Sequence, residues 1–552
     1  MKAKACTKCR QWKARCDASD GVPGGCSRCR SQNLPCVFDA TFKRMSKDKR
    51  IQQMSSELQQ LRQALRDSTS DNTDGSPLGS DGAAGPEPAD PVVWEAQLPS
   101  IPDALDSSSP HFSTSLSTSS MSAPTVPLAA EYRTLGDVSL SLGQVERHFK
   151  TYFARHHPHL PFQVGFQSLD EVYTRTPLLF WVICAVTSSW KQQSLLEPMV
   201  KAMIAETIHG NSHSVETIQA LLVMCMWPFR INRLSEDPSP FYSSIATQMS
   251  LQLGLHRPGQ PYWPLRHGSF SGPTTTVADE EIRRSTWLAC FAVNQMQSSY
   301  LGVPPSTTGD ANLLICVEHP TIDPSLAQHC RIYHLLMKLC WEIGANAPTP
   351  TGMVEPAARM IMIRHYAEQL STLERQHLRH MADSVKISFL HSKLQLYSFA
   401  MLDNLPFPED MSDLLDQAES TACELIELGY GMNLNITPLH VRRAMLYSAF
   451  ILVRLLHAPR DVQREVLYDY IERVRQALCT TITSPGDLTH KAHTILQELP
   501  FVEDKHTSPE ILSRMGASLF YDSLRVHWEH WLEKCDGNFD INRFDWNAVL
   551  GL

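Results

Sequence analysis

From residue 131 onward the chain carries its apolar positions in long runs with little strand-like alternation. Residues 217–227 (TIQALLVMCMW), 241–255, 282–296, 360–373 and 441–456 are of this kind, and their length and periodicity predict helices. Pro158, Pro161, Pro177, Pro228, Pro258, Pro304 and Pro305 punctuate the region, as expected of helices joined by short loops. The strongest apolar stretches, 178–186 and 218–229, fall short of the roughly 20 residues that span a bilayer. A large, soluble all-α domain over 131–534 is therefore expected, with no membrane partner and enough chain for one large core or two joined subdomains.

Upstream the pattern changes. Ile51, Met54, Leu58, Leu61 and Leu65 step by 3, 4, 3 and 4, the a and d positions of about two heptads, and predict a short coiled-coil helix over 51–66. A helix of roughly 15 residues is marginal alone, so it needs a partner. A second copy would make it a homodimer seam; otherwise it packs on its own domain. Residues 67–130 hold no Lys or Arg and are rich in Ser, Pro, Gly, Asp and Thr. They bury too little apolar surface to offset the entropy of ordering, which predicts a disordered acidic linker, with a recruiting surface as the alternative. The last segment, 535–552, mixes acids with Phe539, Phe544, Trp546 and Leu550, a tail that fits either a coactivator groove or its own core.

Charge separates the two ends. Residues 1–50 carry a formal +9, whereas the whole chain is −9, so the remaining 502 residues hold −18. A polyanion would be met by the N-terminus, while the acidic remainder is a poor nucleic-acid surface. Within 41–50, Lys43, Arg44, Lys47, Lys49 and Arg50 form a basic linker that could follow phosphates, act as a nuclear import signal or simply be solvated.

The chemistry lies in the first 40 residues. Cys6, Cys9, Cys16, Cys26, Cys29 and Cys36 form two CxxC-x6-C blocks, each with Lys or Arg between its cysteines. Six thiolates give two Zn²⁺ ions four sulfurs each only if two of them bridge both metals. The alternative is one four-thiolate zinc held by Cys6, Cys9, Cys26 and Cys29, with Cys16 and Cys36 as ordinary thiols. A disulfide framework is disfavoured, because no apolar leader precedes Cys6 and the segment that follows is basic.

This spacing, with Arg10, Lys13 and Arg15 in the first block, resembles the fungal binuclear zinc cluster (Zn2Cys6) DNA-binding domain, here 1–40. The resemblance implies two zincs per chain, bridged by Cys6 and Cys26, and a first short helix after Cys9 that approaches the major groove. It places Lys13 at the base-contacting position for a CGG-like triplet, consistent with a lysine donating to guanine O6 and N7. Lys8, Arg10, Arg15, Arg28 and Arg30 would hold phosphates, fixing orientation without reading sequence. Trp12 departs from the pattern, standing where most members carry Arg or Lys, and removes one such contact. The nine-residue connector 17–25 is long for the family, but Pro23, Gly24 and Gly25 suit a tight return.

The body resembles the fungal transcription factor middle homology region, in the leucine-biosynthesis-regulator-like subgroup. The likeness rests on HHPHLPF (156–162), PLLFWVICAV (177–186), SVETIQALLVMCMWPF (214–229), SPFYSSIATQMSLQLGLHRP (239–258) and RRSTWLACFAVNQMQSSYLGVPP (283–305). It implies metabolite sensing, with a small-molecule effector or a coactivator as a further partner. Arg257 beside His256, and Arg283 with Arg284, could line an anion pocket, although each also fits a helix end. His156, His157 and His159 read as packing or loop residues rather than metal ligands, and the nine remaining cysteines read mostly as small core residues.

No GxGxxG, Walker A, HExxH or GxSxG motif occurs, and a six-thiolate cluster leaves no open catalytic position, so an enzyme is not expected. The expectation is a nuclear transcription regulator that binds double-stranded DNA with paired CGG-like half-sites, in the manner of an activator of metabolic or biosynthetic genes. The other class is a zinc-based RNA-binding or protein-interaction module.

Overall fold

The computed structural model describes residues 5–7, 9, 16–17, 26–31, 36–37, 132–210, 213–257, 276–346, 348–404, 408–458, 462–502 and 509–534. They belong to two compact units, Met1–Ser120 and Met121–Leu552. The coiled-coil seam at 51–66, the linkers at 41–50 and 67–130 and the tail at 535–552 lie outside the described residues.

In the first unit the buried residues are Cys6, Cys9, Cys26 and Cys29, with Cys16 and Cys36 packed against them. Among its described residues the core is sulfur alone. The second unit has one continuous hydrophobic core running from Val138 to Leu519.

The body opens on two strands that the apolar pattern did not announce. Tyr132–Leu135 and Val138–Ser141 pair antiparallel with Tyr132 opposite Ser141. Gly136 begins the two-residue turn at φ +54, a conformation that suits glycine there. A Cβ at that position would also sit 2.0 Å from the Met199 sulfur. The hairpin escaped prediction because each strand is only four residues long. Ser141 then caps the Leu142–Thr151 helix, forming a capping box with Gln144.

The remainder is helical. Pro177–Val186 is buried at every position after its N-terminal proline, and Val215–Met226 at every position from Ile218, as expected of helices apolar all round at the centre of a core. The predicted runs become Val215–Met226, Ser239–Gln252, Val277–Leu301, Pro356–His377 and Leu439–His457. Two of these begin at side-chain caps: Ser214 accepts from the Thr217 amide, and Thr276 forms a capping box with Asp279. Val277–Leu301 ends at Gly302, whose φ of +62 and close approach to the Arg514 carbonyl exclude a side chain.

Val277–Leu301 is also the hinge of the packing. It lies against Val215–Met226 and Ser239–Gln252 on one side and Pro324–Gly344 on the other. Beyond it, Asp383–Ser398, Ser412–Tyr430 and Leu439–His457 pack in succession, so the core continues without a break. No described helix is long and apolar enough to cross a membrane.

The interior also holds unusually many histidines. Burial lowers the pKa of His329 to about 4 and of His391 to about 3, and His440 is pushed well below its ordinary value with His329, His159, His391 and Arg443 around it. The buried Nδ1 and Nε2 of His329 and His440 have no hydrogen-bond partner among the described residues, so these rings fold neutral. Below pH 6.5 the unfolded chain takes up protons that the folded body refuses, so stability falls with falling pH. Each such histidine contributes about 1.4 kcal/mol per pH unit between 6.5 and its lowered pKa. His329 and His391 together should remove on the order of 4 kcal/mol between pH 6.5 and 5. Urea midpoints of the helical signal at pH 7, 6 and 5 measure this; a midpoint flat across that range would show that the imidazoles have found proton acceptors.

Candidate metal centre and nucleic-acid interface

The six cysteines of the head converge. Cys6, Cys9, Cys16 and Cys26 form one group of sulfurs within 4.8 Å of one another, and Cys6, Cys26, Cys29 and Cys36 form a second. Cys6 and Cys26 belong to both. Two overlapping four-sulfur sets sharing two atoms are what two tetrahedral zinc ions require of six ligands, and the single-zinc alternative leaves Cys16 and Cys36 unexplained.

An internal repeat of 20 residues builds this arrangement. The Cys9 amide donates to the Cys6 sulfur at 3.4 Å, and the Cys29 amide donates to Cys26 at 3.3 Å. The Cys6 amide meets the Cys16 sulfur at 3.5 Å, and the Cys26 amide meets Cys36 at 3.3 Å. Across the halves, the Cys6 and Cys29 sulfurs are 3.7 Å apart, as are those of Cys9 and Cys26. The residue after each leading cysteine reaches the residue after the other block's last one: the Thr7 amide donates to the Val37 carbonyl and the Ser27 amide to the Asp17 carboxylate, both at 2.9 Å. The head is thus a pseudo-twofold pair of CxxC-x6-C units, with Cys6 and Cys26 on equivalent positions. The equal spacing of the two blocks was the signal for this symmetry; the Thr7 and Ser27 clamps had none.

Amides aimed at sulfur favour thiolate. The Cys29 amide leads in lowering the Cys26 thiol to about 6. At Cys6 burial pulls upward, yet the Cys9 amide and neighbouring sulfurs bring the thiol down. The two shared positions therefore hold negative charge most readily, where each must face two dications.

Ser27–Ser31 is a short helix carrying Arg28 and Arg30, both exposed, with Cys29 turned into the cluster between them. Of the other basic residues, Lys8, Arg10, Lys13 and Arg15 lie outside the described residues, as does Trp12. So do Ile51, Met54, Leu58, Leu61 and Leu65.

In the body the charged residues first considered for an anion pocket are engaged. Arg257 pairs with Asp310 at 2.7 Å, Arg284 meets His319, and Arg283 donates at 2.8 Å to the Leu253 carbonyl at the end of Ser239–Gln252, the helix-end role. His157 bonds the Phe162 carbonyl at 2.7 Å, while His156 and His159 lie against Trp227, so all three serve packing. Cys184, Cys225, Cys290, Cys316, Cys330 and Cys340 are buried, Cys423 is half-buried and Cys479 is exposed.

A zinc-folded head with a basic helix, and a separate, largely helical body, define a binuclear zinc-cluster protein. Residues 4–45 match the fungal Zn(2)-Cys(6) binuclear cluster domain and 149–328 match the fungal specific transcription factor domain, and the chain carries both. It is homologous to the transcriptional regulatory protein SEF1 of Candida albicans, 27% identical over 592 residues, covering 94% of this chain and 63% of that protein. The SEF1 protein of Kluyveromyces lactis is 24% identical over 97% of this chain and 60% of its own length. The regulatory protein LEU3 of Saccharomyces cerevisiae is 25% identical over 72% of this chain and 51% of its own length. The chain thus spans about 60% of the SEF1 relatives it matches. No solved structure matches it.

The shared sulfurs give a test internal to the head. Cys9→Ala removes a ligand from one zinc, whereas Cys6→Ala removes one from both. Native mass spectrometry should find about one zinc retained in Cys9→Ala and close to none in Cys6→Ala, against two in the unaltered chain. Both variants should keep the helical signal of the body. Equal zinc content in the two variants would remove Cys6 from its bridging position.

Proposed function

We propose that the chain is a nuclear, sequence-specific DNA-binding regulator of RNA polymerase II genes. Its zinc head reads CGG-like triplets, and a pair of heads on a homodimer reads paired half-sites. What carries this is the doubly shared thiolate cluster beside the exposed Arg28 and Arg30. Such a cluster spends every sulfur on structure and leaves the basic surface to act. The printed names of the relatives, a transcriptional regulatory protein and a regulatory protein, support the same class, which is not catalytic.

Within this scheme Lys13 donates to guanine, while Lys8, Arg10, Arg15, Arg28 and Arg30 hold phosphates. Ile51, Met54, Leu58, Leu61 and Leu65 form the seam that pairs two heads and so sets half-site spacing. The acidic body keeps off DNA and transmits regulation from an effector or coactivator, in the manner of an activator of a metabolic or biosynthetic gene set.

The deciding experiment is selection of the zinc-loaded full chain against randomised duplex DNA. Enrichment of two spaced CGG-like triplets is expected; full zinc occupancy with no enriched duplex would move the function to RNA or protein recognition.

Single variants then divide the roles. Lys13→Ala should cost about 1–3 kcal/mol of discrimination at guanine. Arg28→Ala should weaken all duplexes alike and reduce the salt dependence by about one phosphate. Even losses on every duplex for both variants would strip Lys13 of base reading. Leu58→Glu with Leu61→Glu should halve the solution mass and lower paired-site affinity; unchanged mass would discard the seam.

A further inference from the structure

The two halves of the head are closed by different atoms. In one, the Thr7 amide and hydroxyl both donate to the Val37 carbonyl, at 2.9 and 3.1 Å. In the other, the Ser27 amide donates at 2.9 Å to the carboxylate of Asp17. Asp17 and Val37 each follow the last cysteine of a block and so occupy equivalent positions of the repeat. A backbone carbonyl would satisfy the symmetry at both; at Asp17 a charged side chain accepts instead.

Electrostatics alone disfavours a carboxylate there. Two Zn²⁺ and six thiolates carry a net charge of about −2. In its proposed role the head also meets a polyanion. Asp17 is exposed, follows Cys16 and lies within electrostatic reach of Arg30, so it sets a negative charge beside the basic surface.

What the carboxylate provides is a hold on the basic helix. Ser27–Ser31 is five residues long, too short to form alone. The Arg30 amide reaches the Cys26 carbonyl at 3.0 Å and the Cys29 amide the Cys26 sulfur at 3.3 Å, so both of these acceptors belong to the helix's own block. The Ser27 amide takes its acceptor from the end of the first block. Asp17 thus tethers the start of the helix to the other half of the head, and Arg28 and Arg30 follow directly. The Ser27 hydroxyl, and after it the amide, favours the charged carboxylate, which makes the tether a charge-assisted one.

We propose that Asp17 is a positioning residue of the nucleic-acid interface: its carboxylate fixes the start of Ser27–Ser31 and, through that helix, the direction in which Arg28 and Arg30 meet phosphate. Asp17 itself touches no nucleotide. Its charge weakens contact with any polyanion, while its hydrogen bond favours the one arrangement in which the head sits in register, so it acts for discrimination and against bulk affinity. This rests on the proposed DNA role of Arg28 and Arg30, but the tether is measured without DNA.

Asp17→Ala and Asp17→Asn remove the same charge, and only asparagine keeps an oxygen for the Ser27 amide. In the zinc-loaded full chain, hydrogen–deuterium exchange of the Ser27–Ser31 amides should be about fivefold faster in Asp17→Ala and unchanged in Asp17→Asn. Both variants should retain two zincs. Binding is then measured on duplexes carrying paired CGG triplets at varied spacing and on a scrambled duplex of equal composition. Both variants should bind the scrambled duplex more tightly than the unaltered chain does. On the CGG duplexes Asp17→Asn should share that gain, whereas Asp17→Ala should bind about fivefold more weakly than Asp17→Asn. In a chain that already carries Arg28→Ala and Arg30→Ala, the difference between alanine and asparagine at this position should vanish, because Asp17 acts through that helix.

Loss of zinc with even weakening on both kinds of duplex would make Asp17 a structural residue only and overturn the proposal. Equal exchange and equal discrimination in the two variants would overturn it as well. Exchange that differs as expected, in a chain that does not tell CGG from scrambled duplex, leaves the tether standing and sinks the DNA reading; CGG discrimination with equal exchange does the reverse.

Discussion

Two zinc ions ask for eight thiolate bonds, and the head offers six sulfurs, so two of them have to be shared. The rest of the head follows from that. A segment of about 40 residues cannot bury enough apolar surface to fold alone, and its described core is sulfur without an aliphatic side chain. Metal coordination therefore replaces the hydrophobic effect, and the shared atoms, Cys6 and Cys26, hold both halves at once. Because the cluster absorbs every cysteine of the head, the surface helix is left free to carry Arg28 and Arg30 outward.

The body is stabilised in the opposite way. Pro177–Val186 and Val215–Met226 are nearly all apolar and must be surrounded, so later helices are wrapped around them through Val277–Leu301. Some polar side chains that enter this interior are matched: the Gln219 amide nitrogen donates to the Gln163 carbonyl and the Thr286 hydroxyl, and Asn294 closes on Ser306. The histidines around His440 stay neutral, because burial disfavours their charged form.

The Trp227 and Leu488 hydrogen bonds join residues inside the region shared with fungal transcription factor domains to helices well beyond it, so the body packs as one piece across that boundary.

How much of this was legible beforehand depends on distance along the chain. The zinc ligands were readable because all six lie within 31 residues and tetrahedral coordination accepts few spacings. The helices were readable because burial imposes a local period, and the four-residue strands were not, being too short to show one. The partners of the charges could not be read. Arg257, Arg283 and Arg443 find Asp310, the Leu253 carbonyl and Asp237 at separations of 53, 30 and 206 residues. By itself the sequence determined the metal chemistry and the helical character of the body, since both are written in short-range spacing. Only the tertiary structure decided which arginines are neutralised and by what, because an ion pair depends on which distant helices come to lie side by side.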